Sequence, residues 1–262
     1  MNPPTTTPTI YPKRYFPLSP TFAAWNKLTA HLIHHSLSTA PEFTGQNLYF
    51  YHNHPIHYIR IVGILVDIVT RGKKGEYTIL TIDDSSGECI DVKITSLATV
   101  AGNEKGYATS NTGVENVDVH ITMGLPTVYL NLQPVEIGAV LEVKGTIAVF
   151  RGKRQIELKR LFRVNGTNAE ASEWRKTAGW IEGVLGRPWV LTEKEREAMD
   201  KRIKREEVDE KKMSNRRRAK DAKYDEERQR YEEKREAKRK MAEGRMNEGA
   251  LRGSSILPTP WD

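Results

Sequence analysis

The chain has 262 residues, a net charge of +7 from 41 Lys and Arg against 34 Asp and Glu, and 38% hydrophobic residues. With a mean hydropathy of −0.60, it is more charged and less apolar than a fully packed chain, so part of it is expected to lie outside a core. No apolar run approaches the roughly 18 residues of a membrane span, and the single cysteine, Cys89, excludes an intramolecular disulfide and a Cys-based zinc site.

The start, Met1-Asn2-Pro3-Pro4, has neither the basic residues nor the apolar stretch of a secretory signal. Residues 1–20 are rich in Pro and Thr, with Tyr11, Tyr15 and Phe16 interspersed, and read as an extended lead-in that docks by its rings. Ser19-Pro20-Thr21 then precedes Phe22, Trp25, Leu28 and Leu32 at helical spacing, which predicts a packing helix over 21–36. From residue 56 to 163 the pattern turns β-branched. Residues 56–70 predict a long first strand in which Gly63 marks a bulge or sharp coil. Arg71-Gly72-Lys73-Lys74-Gly75 is a turn, 77–83 a second strand, Asp84-Ser85-Ser86-Gly87 a tight turn and 88–95 a third strand. Residues 96–136 read as irregular, with short apolar patches at 119–123 and 128–132. Residues 138–150 and 153–164 predict a hairpin across Arg151-Gly152.

Five strands, the first long and kinked, with a long third-to-fourth connection and a closing hairpin, suit a mainly β fold. The expected architecture is a five-stranded OB-fold Greek-key barrel with flanking N-terminal and C-terminal helices. A sandwich would need more strands. After the barrel, Asn168 is placed to cap a helix, and Ala171, Trp174, Ala178, Ile181 and Leu185 form one apolar stripe that Gly186 and Pro188 end. The stripe suits either another helix or the chain's own barrel. Thr192 and Glu195 form a capping box that opens a charged stretch, residues 192–248, with 21 basic and 17 acidic side chains. Its apolar residues do not sustain a heptad, so a solvated helix is expected rather than a coiled coil, fraying toward 249–262. The divisions are a lead-in with packing helix (1–50), an OB-fold domain (51–165), a partner-binding helix (166–190) and a long charged helical or disordered tail (191–262).

Nothing in the sequence points to catalysis. There is no phosphate loop and no Gly-x-Ser-x-Gly elbow. Asp83 and Asp84 lie at a strand-to-turn junction, where carboxylates cap turn amides. His52, His54 and His57 are close in sequence but lack a Cys or an acidic partner at a ligand spacing, so neither metal nor cofactor is expected. His31, His34 and His35 end the predicted first helix, where their partial charge suits its dipole. The basic turns are more informative. Arg71, Lys73 and Lys74 occupy one turn, and Arg151, Lys153 and Arg154 the other. In an OB barrel two such turns flank the groove that takes single-stranded nucleic acid. Tyr77 and Phe150 stand beside them, placed to stack on bases. The residues alone do not distinguish DNA from RNA.

Several stretches resemble a known family. They are Ser19-Pro20-Thr21 with Trp25 and Leu28-Thr29, Phe50-Tyr51 with Asn53-His54-Pro55-Ile56, Ile61-Val62-Gly63, and Leu80 with Ile82-Asp83-Asp84-Ser85-Ser86-Gly87. Pro134-Val135-Glu136-Ile137-Gly138, Val143-Lys144-Gly145 and Arg154-Gln155-Ile156 agree. Together, over about residues 11–190, they resemble the OB-fold family of the CST telomere-capping complex. The match is to the subunit similar to the middle subunit of replication protein A, and fungal members look closest. The resemblance implies a non-enzymatic nuclear protein of the chromosome's telomeric region. Such a protein binds single-stranded telomeric DNA, caps ends, regulates telomere replication and helps to recruit DNA polymerase alpha–primase. It also implies a small OB-fold subunit as partner, docked through the barrel and the helix bearing Trp174, Ala178, Ile181 and Leu185. DNA contacts in the family fall near Lys93 and Ile94 and at Phe150, although an aromatic often found at the end of strand three is replaced here by Lys93-Ile94. Many members continue into winged-helix domains where this chain has its charged stretch, so the contacts of those domains, including those with the large CST subunit, are not implied. The alternatives are a general single-strand binder like the replication protein A middle subunit, and an OB scaffold that binds protein alone.

Overall fold

The structure, a computed structural model, describes residues 9–72, 76–97 and 111–248. The chain divides into two units, Met1–Glu195 and Arg196–Asp262.

The first unit begins with a 3-10 turn, Lys13–Leu18, that buries Tyr15 and Phe16. Phe16 packs against Phe22, Phe43 and Phe50 with ring centroids 5.6, 5.2 and 5.9 Å away. The helix expected over 21–36 does not form. Thr21 Oγ1 donates to the Pro55 carbonyl, and the Asn26 side-chain amide donates to the carbonyls of Thr21 and Tyr58. Both side chains are buried. Such side-chain bonds to backbone compete with a helix, and here they hold Asn26–Lys27 extended as β1. Only a short π-type turn, Leu32–Ser36, keeps the helical spacing.

A small hairpin follows, β2 (Tyr49–Tyr51) with β3 (His54–Ile56). Next come β4 (Tyr58–Arg71), β5 (Tyr77–Asp83) and β6 (Cys89–Thr95). β1 runs parallel to β4. In the β5–β6 turn, Asp83 accepts from the Ser85 amide and Asp84 from those of Ser86 and Ala30. Both carboxylates therefore cap backbone. The segment read as irregular contains a three-stranded antiparallel meander, β7 (Val117–Thr122), β8 (Leu125–Leu130) and β9 (Gln133–Val135). Its two-residue turns, Met123-Gly124 and Asn131-Leu132, have positive φ throughout, but neither carries the Asn-Gly or Asp-Gly pair that marks such a turn.

β10 (Val140–Phe150) and β11 (Lys153–Arg163) form the predicted hairpin. β4 pairs with β10, β10 with β11, β11 with β6, β6 with β5, and β5 again with β4, so the ladder returns to its start as a ring of five strands. The β11–β6 join is parallel and the others are antiparallel. Ile61, Leu65, Leu80, Ile82, Val92, Leu141, Val143, Ile147 and Ile156 fill the interior. The expected bulge at Gly63 lies elsewhere, because the β4–β5 register shifts between Leu65 and Asp67. Gly63 is needed for close approach instead: a Cβ there would run into the Asp83 carbonyl. Gly145 likewise faces the Glu157 carbonyl, at a second register shift beside Lys144.

Helix α1 (Thr167–Trp180) continues as a π-type turn, Ile181–Leu185. Its cap is Gly166, at φ +84°, with no side-chain cap bond, and Asn168 lies inside the first turn. A part-buried ion cluster around the buried Arg60 ties α1 to the sheet. Arg60 Nε donates to Glu142 Oε1 (2.8 Å) and Arg60 Nη2 to Glu173, while Lys144 and Lys176 flank the two carboxylates at 2.7 Å each.

The charged stretch opens with the capping box: the Thr192 amide donates to Glu195 Oε2 (3.0 Å) and the Glu195 amide to Thr192 Oγ1 (3.4 Å). It continues as the single helix α2 (Glu193–Glu248). In the second unit, residues 204–246 are exposed, with pairs four apart such as Arg202–Glu206 and Arg228–Glu232. The expected fraying over 249–262 lies outside the described residues. No helix among the described residues is long and apolar enough to cross a membrane.

Candidate nucleic-acid interface

Strand alternation builds the groove. Because Leu80 and Ile82 of β5 and Ile90, Val92 and Ile94 of β6 point into the core, the odd-numbered residues between them point outward. Tyr77, Ile79, Thr81, Asp91 and Lys93 thus share one outer face. The register shift after Leu65 brings Asp67, Val69 and Arg71 of β4 onto it, and the tip of the β10–β11 hairpin adds Phe150 and Arg151. These residues line an open groove of 860 Å³.

Within it Lys93 Nζ lies 4.0 Å above the Tyr77 ring, and Arg151 Cζ lies 5.3 Å from the Phe150 ring centroid. Phe150 is 58% exposed, so much of its ring is open to a base. The turn that presents it has two left-handed residues, Arg151 (φ +49°) and Gly152 (φ +79°). Two carboxylates sit among the cations. Asp91 Oδ1 accepts from Thr81 Oγ1 (3.0 Å), and Asp67 Oδ1 accepts from the Ile68 amide (2.8 Å). Cations at the rim suit phosphates, flat rings suit base faces, and carboxylates suit the amino groups of base edges.

Of the expected contact residues, Arg71, Tyr77, Lys93, Phe150 and Arg151 line this groove. Lys73 and Lys74 lie outside the described residues. Ile94 is fully buried and belongs to the core. Lys153 and Arg154 line a different depression, of 660 Å³, with His34, His35 and Tyr49. Arg154 is a structural clamp: Nη1 donates to the carbonyls of Ile33 (2.6 Å) and His34 (2.8 Å), and Nη2 to that of Leu37 (2.7 Å). Its guanidinium satisfies backbone oxygens of the Leu32–Ser36 turn and of Leu37 just after it, which removes it from the cationic rim. Asp67, Thr81, Asp91 and Gln155 line the groove without having been picked out from sequence. Period-two alternation was the signal that would have found them.

The apolar stripe of α1 is divided. Leu185 is fully buried in the chain's own core, and Ile181 packs against that core with Trp180. Leu185 thus leaves the expected partner surface, because burial within the chain excludes burial against a partner, while Ile181 is half-buried. Trp174 remains 47% exposed, and Ala171 and Ala178 are exposed on the same helix. Behind them, the segment after the helix is clasped. Asn53 Nδ2 donates to the Trp189 carbonyl and the Trp189 amide donates to Asn53 Oδ1, both at 2.8 Å, while His54 Nε2 bonds the Arg187 carbonyl. Burial is the main cause holding the His54 imidazole below its usual pKa, which keeps it neutral.

The sequence model of the family described as "Telomere regulation protein Stn1" matches residues 6–137. A curated protein, the CST complex subunit STN1 of Bos taurus, is 27% identical over 157 residues, which are 59% of this chain and 40% of that protein. The chain therefore matches well under half the length of that relative. A crystal structure of yeast Stn1 and Ten1 superposes with a TM-score of 0.52 at 16% identity, covering 73% of this chain and 90% of the other, and so shares its fold. A crystal structure of the S. pombe Stn1-ten1 complex aligns with a TM-score of 0.42 at 18% identity, over 63% of this chain and 96% of its counterpart.

Proposed function

This chain belongs to the Stn1 family of telomere regulation proteins, and on that premise we propose that it is a non-enzymatic subunit that binds single-stranded telomeric DNA. The ring of five strands, with its one parallel join between β11 and β6, is read as an OB-fold Greek-key barrel. The DNA lies across the groove of β4, β5 and β6 and against the β10–β11 tip. Arg71, Lys93 and Arg151 neutralise phosphates, and Phe150, with Tyr77 beneath Lys93, supplies stacking worth about 1–3 kcal/mol per base. The single observation that carries this reading is the convergence of three cations and two rings from four separate strands on one open face.

A small OB-fold subunit of the CST complex, of the kind represented by Ten1 beside yeast Stn1, docks on the exposed face of α1 around Trp174 and Ala178. In that assembly the protein works in the nucleus at chromosome ends, capping them and regulating telomere replication with the large CST subunit and DNA polymerase alpha–primase. The test is a titration of single-stranded telomeric DNA at several salt concentrations, alone and with the small subunit. With a slope of about −0.7 per phosphate neutralised, three groove cations give a log–log salt slope of roughly −2. A flat salt response overturns the groove mechanism. Equal affinity for telomeric and scrambled strands in the complex would favour a general single-strand binder.

A further inference from the structure

We infer that His31, His35 and Glu88 form a binding site for a divalent transition metal, with zinc the best fit to the donor set. His31 and His35 stand four residues apart on the helical turn after β1, so their rings lie on one side of it, with centroids 4.8 Å apart. Glu88 comes from the other side, just before β6, with Oε1 2.6 Å from His35 Nε2. One donor atom from each residue lies within 4.8 Å of the other two, a spacing that small rotamer changes convert to zinc bonds of about 2.0–2.2 Å. Two imidazoles and a carboxylate fill three positions of a tetrahedron and leave the fourth to water, a set that favours zinc, copper or nickel over magnesium or calcium.

The backbone beneath the three residues is already held. Asp84 Oδ2 accepts from the Ala30 amide (2.8 Å) and Ser86 Oγ from the His31 amide (3.1 Å), so the β5–β6 turn anchors the start of the histidine turn. Arg154 closes the other end through the carbonyls of Ile33, His34 and Leu37. His34 Nε2 lies 3.2 Å from the Cys89 carbonyl, next to Glu88. The ligands thus sit on two elements fastened to each other, which lowers the ordering cost of binding an ion. A bound ion would staple the lead-in to the β5–β6 turn and add positive charge to the depression that His34, His35 and Lys153 line.

The test uses the full-length protein without a histidine tag. Zinc binding is followed by calorimetry, and cobalt binding by its visible absorption. One saturable equivalent is expected, with a rise in melting temperature that a chelator reverses and with no competition from magnesium. His31→Ala and His35→Ala each lower affinity by more than the roughly 10–100-fold that loss of a merely supporting residue costs. Glu88→Gln, which keeps the side-chain volume, also weakens binding, and His120→Ala, on β7, does not. The absence of a saturable equivalent overturns the site, and so does binding that persists unchanged in the His31 and His35 variants.

Discussion

Asn53 and Trp189 exchange two hydrogen bonds of 2.8 Å across 136 residues: the Asn53 side-chain amide donates to the Trp189 carbonyl, and its oxygen accepts the Trp189 amide. The asparagine side chain acts as a strand for one residue of the chain that leaves α1. Tyr11 adds a wall, its ring edge-on to Trp189 at 5.0 Å and its hydroxyl accepting the Leu191 amide. Residues from three distant parts of the chain close one joint.

Asn53→Ala should open that joint. Asn53 is buried, and the substitution leaves a backbone donor and an acceptor unpaired at about 1–3 kcal/mol for such a group. A chemical denaturation midpoint measures the loss. Hydrogen exchange should rise at residues 187–191 and not in β5 or β6.

Arg151 and Arg154 are three residues apart and should behave oppositely. Arg151→Ala keeps the melting temperature and weakens single-stranded DNA, reducing the salt slope by about 0.7. Arg154→Ala strands three carbonyls and lowers the melting temperature first. If both variants lose DNA affinity with unchanged stability, the assignment of Arg154 as a clamp is wrong.

Gly145→Ala should destabilise the ring by about 1–3 kcal/mol, the usual effect of overpacking. The added methyl meets the Glu157 carbonyl and the Ile156 side chain across the β10–β11 pair, and neither can swing aside as a flexible side chain would. Equilibrium unfolding of the variant checks it.

Trp174→Ala and Leu185→Ala separate docking from folding. Leu185→Ala empties a fully buried position and should cost about 2–5 kcal/mol. Trp174→Ala should leave unfolding almost unchanged and abolish co-purification with the small OB-fold subunit. Retained co-purification would move the docking surface off α1.

The Arg60 cluster predicts acid sensitivity. Burial alone would raise the carboxyls of Glu142 and Glu173, but the hydrogen bonds from Arg60, Lys144 and Lys176 outweigh it and hold both below the usual glutamate range. Lys27, nearby above the Trp180 ring, is itself lowered by its burial and by Arg60. A carboxyl depressed in the folded state contributes stability that is present above its unfolded value and lost as pH falls through its folded value. Melting temperature should therefore fall as pH drops below about 4.5, and Glu142→Gln should flatten that fall while lowering stability at pH 7.

What could be read along the chain was local. Alternation and turn residues marked the five ring strands to within a few residues, the Thr192–Glu195 box marked the start of α2, and the Asp83-Asp84 turn announced its own capping. These features depend on neighbours within four or five positions, so periodicity and propensity report them. The rest depended on partners far away. Phe22, Trp25, Leu28 and Leu32 have the spacing of a helix, yet Asn26 stays extended because the Tyr58 carbonyl, 32 residues on, accepts its side-chain amide. Arg151 and Arg154 look alike in sequence, and only the approach of the 33–37 carbonyls makes one of them a clamp. Trp174 and Leu185 lie on a single stripe, which the core covers at one end and leaves bare at the other. Which of two chemically equal side chains is consumed by the fold is set by what packing brings to it from elsewhere, and no local window contains that.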